Sequence, residues 1–147
     1  MKFDGTVNIA APRQKTWDFL TDANEVSQCV PGLESMEIIE EDKRFKAIAS
    51  VGFGSMKVRF VTDVEWLELD APNVAQMKAH GTAPGSAVDA TATMTLTDGA
   101  DGSTDMHWET DALVSGQIAS LANRLMPSVT KIITAAFFEC AKKYIEE

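Results

Sequence analysis

Cysteine is scarce in this chain, with only Cys29 and Cys140 among 147 residues. Both fall in predicted helical segments and read as reduced cytosolic thiols rather than a disulfide framework. Basic residues are also few: 13 Lys and Arg stand against 22 Asp and Glu, a formal charge of −9. That balance excludes a nucleic-acid binder, whose phosphate contacts need clustered cations. It also gives little attraction to anionic lipid headgroups. No apolar run approaches the ~18 residues of a membrane span. The opening residues Met1 to Gly5 carry no signal-peptide core. Repeats, low-complexity tracts and linkers are missing, so residues 1–147 are expected to form one domain with a sizeable core.

Catalytic and metal motifs are missing too. There is no HxxxH, CxxC, GxSxG or glycine-rich phosphate loop, and no cofactor is called for. Asp98 to Asp105 has the outline of a calcium loop, but Ala100 and Gly102 stand at its third and fifth positions, where ligands are required. A hairpin turn is the reading there. His80 and His107 fall on outward strand faces by alternation, as do Asp63, Glu65, Asp105, Glu109 and Asp111. A solvated face accounts for these carboxylates better than acid–base work does. Nothing near Cys29 in sequence would lower its pKa.

What is present is a long amphipathic stretch at the end of the chain. From Gly116 to Glu147 apolar residues recur at Ile118, Leu121, Leu125, Val129, Ile132, Ile133, Ala136, Phe137, Cys140 and Tyr144. Steps of three and four put them on one helical stripe. Thirty-two residues of helix would span about 45–50 Å and need a partner surface of similar length. Pro127 removes one helical hydrogen bond and should bend the helix.

The rest of the chain supplies that surface. Lys2 to Ala10 alternates as a strand with one wet face. Pro12 opens a short helix over Lys15 to Leu20, with Trp17 and Leu20 as anchors. Asp22 is placed to cap a second short helix, with Glu25 as its capping-box partner. Six strands follow: Leu33–Glu41, Arg44–Gly52, Met56–Trp66, Val74–Thr82, Ser86–Thr97 and Thr104–Ala112. Hairpin-sized turns separate them. The order predicts an α+β fold in which an antiparallel sheet curls around the terminal helix.

The inward sets are small or flexible. Ala47, Ala49, Ala75, Ala79, Ala90, Ala92 and Ala112 leave space, and Met56, Met77, Met94, Met106 and Met126 are adaptable liners. Either the helix approaches closely or an apolar cavity remains. The competing reading is a solid core filled by Trp17, Trp66, Trp108, Phe60 and the helix stripe.

Several short motifs carry a resemblance. Phe3-Asp4-Gly5, Ala11-Pro12 through Trp17-Asp18-Phe19-Leu20, Cys29-Val30-Pro31-Gly32-Leu33-Glu34 and the tail from Gly116-Gln117-Ile118-Ala119 to Phe137-Phe138 are similar to the G-subunit family of carbon monoxide dehydrogenase. The resemblance covers nearly the whole chain. It implies the helix-grip fold of the START and Bet v 1-like proteins: a curved seven-stranded antiparallel sheet, two short helices after the first strand, and a long C-terminal helix. It implies a lipophilic ligand, a respiratory quinone foremost, and a partner in a molybdenum-containing dehydrogenase. The linker and anchoring tail of many members have no counterpart before Glu147. The expected setting is cytoplasmic, at most peripheral to the inner face of the membrane.

Together these point to a protein that binds a hydrophobic small molecule and is not itself an enzyme. The guest would enter near the Gly52–Ser55 turn and lie between Val58, Phe60, Met77, Ala79, Ala90, Ala92, Met106, Trp108 and the helix positions Leu121, Leu125, Val129 and Ile132. A cyclase or hydrolase on the same fold is the alternative, and it would need a buried His–carboxylate pair. A cavity-less interaction module, docking through its acidic sheet face, is the other.

Overall fold

The computed structural model describes Met1–Glu147. Strand β1 (Lys2–Ile9) leads into two short helices, α1 (Arg13–Leu20) and α2 (Ala23–Ser27). Six strands follow: β2 (Leu33–Glu40), β3 (Arg44–Phe53), β4 (Met56–Asp70), β5 (Val74–Ala83), β6 (Ser86–Asp98) and β7 (Thr104–Gly116). The long helix α3 (Ala119–Ile145) closes the chain. All seven strands form one antiparallel sheet in the order β1-β7-β6-β5-β4-β3-β2. The meander from β2 to β7 follows from the short turns. The two helices carry the chain back from β1 so that this first strand lies beside the last. There the Met1 ammonium donates to the Ala112 carbonyl at 2.8 Å and stands 3.5 Å from the Asp111 carboxylate.

Alternation explains which face is covered. On β4 the buried side chains are Phe60 and Val64, and Lys57, Arg59 and Glu65 are exposed. β4 runs on past Trp66, through a bulge between Trp66 and Glu68, to Asp70. β7 runs past Ala112 to Gly116, since Val114 continues the buried set. Gly116 then turns the chain at φ +91°, where a Cβ would collide with the Gly85 carbonyl. The backbone N–H of Gln117 donates to that same carbonyl at 2.8 Å. This tight corner takes the first residues of the predicted helix, and α3 begins at Ala119.

Asp22 caps α2, its carboxylate accepting from the N–H groups of Asn24 at 3.0 Å and Glu25 at 3.4 Å. The reciprocal half of the expected capping box does not form: the Glu25 carboxylate accepts from the Gln28 side chain at 3.1 Å instead. Asp22→Ala should cost about 1 kcal/mol, read as a lower denaturation midpoint. An unchanged midpoint would show that α2 does not depend on the cap.

The core falls into two clusters at opposite ends of α3. One gathers Ile9, Trp17, Leu20, Cys29, Leu96, Met106, Ala141 and Ile145. The other gathers Phe53, Phe60, Val114, Ala122 and Val129. The helix stripe is rotated from the expected one. Ala122, Ala141 and Ile145 are buried, whereas Ala136 and Tyr144 are exposed and Ile132 is 69% exposed. The apolar arc of α3 is wider than the sheet can cover, and the sheet takes one side of it. Pro127 sits on the exposed side and the helix continues through it.

The cysteines also differ from expectation. Cys29, just after α2, and Cys140, on α3, form a disulfide with Cα atoms 5.4 Å apart. The reading of two reduced thiols is therefore corrected. Folding brings together two residues separated by 111 positions, which their local sequence does not reveal.

Candidate functional site

Between the sheet and the middle of α3 lies a cavity of about 250 Å³. β3 contributes Ala49, Val51 and Phe53, and β4 contributes Phe60 and Thr62. Val88 of β6 and Val114 of β7 close one side. Met126, Val129, Thr130, Ile133 and Thr134 of α3 form the roof. No lining residue is charged, and the polar side chains among them are three threonines. Such a space binds by apolar burial and orients its guest with a few hydrogen bonds.

The cavity exists because small residues meet mid-helix. The helix touches down where it carries alanine: Ala122 and Ala141 have no accessible surface. The roof residues Met126 to Thr134 fall between these two points. Beneath them the sheet offers Ala49 in the wall, and Thr62 and Val88 pack close over Gly81 beside it.

The expected site residues divide into groups. Phe60 and Val129 line the cavity. Val58, Leu121 and Leu125 pack in the cluster around it. Met106 is buried in the other cluster, with half-buried Trp108 against it. Met77, Ala79, Ala90 and Ala92 are half-buried on β5 and β6, outside the cavity wall. Ile132 points to solvent and drops out. Strand parity could have found Ala49, Val51, Thr62 and Val88, all in inward sets. Thr130 and Thr134 carried no signal, because hydroxyls on a helix read as its wet side.

A second hollow of about 580 Å³ runs along β1 and α3 past Gly5, Val7, Trp108, Ala135 and Phe138, and it shares Thr134 with the cavity. At the other end, Gly54 of the β3–β4 turn faces Leu125, whose Cδ1 would lie 3.6 Å from a Cβ there. The rim expected as the way in is thus covered by a side chain.

The largest hollow, about 610 Å³, crosses the outer face of the sheet. It runs between Arg44, Glu65, Lys78, Thr91 and Asp111 on one side and Asp63, His80, Asp89 and Leu113 on the other. His80 Nδ1 lies 2.6 Å from Asp89 Oδ1, but these side chains are 53% and 58% exposed. On the same face, hydrogen bonds from Ser50 and then Arg59 hold the Glu34 carboxyl below the ordinary value of 4.5. This charged trough lies across the sheet from the apolar space, so size alone does not make it the ligand site.

A curved antiparallel sheet wrapped on one long helix, with an apolar space beneath that helix, defines a helix-grip protein of the Bet v 1/START-like type. The chain belongs to the CoxG family, the G subunit of carbon monoxide dehydrogenase, whose model matches residues 5–146. Among solved structures it is similar to a conserved protein from Geobacillus kaustophilus, with 24% identity, TM-score 0.90, and 99% of this chain and 95% of that one covered. It is also similar to the Zhui aromatase/cyclase from Streptomyces sp. R1128, with 18% identity, TM-score 0.75, and 99% and 93% covered. Truncated norcoclaurine synthase from Thalictrum flavum matches with 14% identity, TM-score 0.68, and 100% and 94% covered. These likenesses show the fold. No curated protein sequence matches the chain significantly. Family and fold together support a ligand-binding or accessory role. No helix of the structure is long and apolar enough to cross a membrane.

Proposed function

We propose that the chain binds a hydrophobic small molecule, lipid-like or quinone-like, beneath α3, and serves as an accessory protein to a molybdenum-containing carbon monoxide dehydrogenase-type enzyme. The observation that carries this reading is the uncharged cavity of about 250 Å³ walled by β3, β4, β6, β7 and α3. Family membership supports a dehydrogenase as the enzyme partner. A space of this size takes a ring system or a short chain. A longer guest would extend toward the hollow beside β1, which shares Thr134 with the cavity. Burying roughly 200 Å² of apolar surface would contribute about 5 kcal/mol before ordering costs. The proposed setting is the cytoplasm, at most peripheral to the inner face of the membrane, where the Cys29–Cys140 bond would be uncommon.

Binding is favoured over cyclase or hydrolase chemistry by the wall itself. Acid–base work needs a titratable group within reach of the guest, and the bonded His80–Asp89 pair lies on the outer face. The test is Ala49→Phe, which places a ring in the cavity from the β3 wall. Organic extracts of purified wild-type protein should hold an apolar compound by mass spectrometry, and A49F should lose it with its circular dichroism unchanged. Empty wild-type extracts, or a folded variant that keeps its guest, would sink the reading.

A further inference from the structure

We propose that Thr62 and Thr130 form a paired hydroxyl anchor that selects, among apolar guests, those carrying a carbonyl-type hydrogen-bond acceptor. This rests on the cavity being a ligand site and adds which chemistry it prefers. The three cavity threonines are not equivalent. Thr134 donates to the Thr130 carbonyl at 2.8 Å and lies 3.3 Å from that of Lys131, so its proton is engaged within the helix. Thr130, one turn earlier, does not use its hydroxyl in the same way. Thr62 lines the sheet side of the cavity on β4, where its cross-strand partners are Ala47 on β3 and Gly81 on β5. Neither partner has a side-chain polar atom. The row continues through Val88 and Val114, so Thr62 carries its one hydroxyl.

Neither hydroxyl is a buried unpaired atom, so each stays accessible within the cavity and free to meet a guest. Valine has nearly the same shape and would offer a guest no donor. Glycine at position 81 lets the Thr62 hydroxyl and Val88 pack close over the strand, since a Cβ there would stand 3.0 Å from each. Two donors on opposite walls, with apolar surface around them, suit an acceptor held between two apolar flanks.

The experiment compares 2-acetylnaphthalene with 2-ethylnaphthalene, which match in shape and differ in the carbonyl. Dissociation constants are measured by fluorescence on wild-type protein and on Thr62→Val/Thr130→Val. The wild type should prefer the ketone by about threefold to tenfold, and the double variant should lose that preference while binding the hydrocarbon as well or better. Thr62→Ser should retain it. Equal wild-type affinities for the two probes, or a preference that survives in the double variant, would overturn the anchor and leave the cavity standing. Failure of wild type to bind either probe would overturn the cavity reading as well. The wild-type comparison does not depend on whether any variant folds.

Discussion

Leu96→Ala is expected to lower the unfolding free energy by about 3–4 kcal/mol and to leave guest binding unchanged. Leu96 lies on β6, 2% exposed, among Ile9, Trp17, Leu20, Met106 and Ala141. Its backbone N–H is tied to the Asn73 carbonyl at 2.8 Å. The loss combines the transfer of the removed methyl groups with the void they leave, and the crowded neighbours can close that void only in part. For a domain of this length the melting temperature should fall by about 10 °C. A loss under about 1 kcal/mol would show that this end of the core is loose. Binding that weakened in proportion would show that the two ends act as one unit.

The reason to expect separation lies in how α3 meets the sheet. Ala141 and Ile145 anchor one end of the helix and Ala122 the other. Aromatic mass is concentrated at the Ala141 end. Trp17 and Phe19 are buried there, Phe19 stacks on Tyr144 with centroids 5.8 Å apart, and Phe137 meets Phe138 edge-on at 5.1 Å. The stretch between the anchors roofs the cavity and contains Pro127. The inward alanines and methionines posed a choice between a close helix and a void. The structure contains both, at different points along the same helix.

Much of this was legible in the sequence. The order of elements, the faces of β1, β4 and β6, and the capping of α2 by Asp22 follow from alternation and turn chemistry. Three things were not. Strand parity says which residues face the helix but not how far away it is, so Ala79 and Ala92 looked as well suited to line a cavity as Ala49 does. The apolar arc of α3 exceeds the covered width, so Ile132 and Ala122 could not be sorted until the sheet's position was known. The pairing of Cys29 with Cys140 depends on bringing the segment after α2 against the last turns of α3, which no local pattern encodes.

That link carries the second large expectation. Replacing both cysteines by alanine, or reducing the native protein, should cost about 2–4 kcal/mol, mainly by freeing the unfolded chain from a long closed loop. The bond joins the segment after α2 to α3 across 111 positions. It lies in the same cluster as Trp17, Leu20 and Ile145, where the Ala10 N–H also donates to the Glu146 carboxylate at 2.9 Å and the Lys15 ammonium to the Glu147 carbonyl. Those neighbouring contacts should keep the reduced protein folded at room temperature, with its melting temperature lower by roughly 5–12 °C. Because the cavity sits toward the other end of α3, affinity for an apolar probe should be nearly unchanged on reduction. Equal melting temperatures with and without reductant would show that the link adds nothing. Two free thiols in the freshly purified, unreduced protein would restore the cytosolic-thiol reading of Cys29 and Cys140.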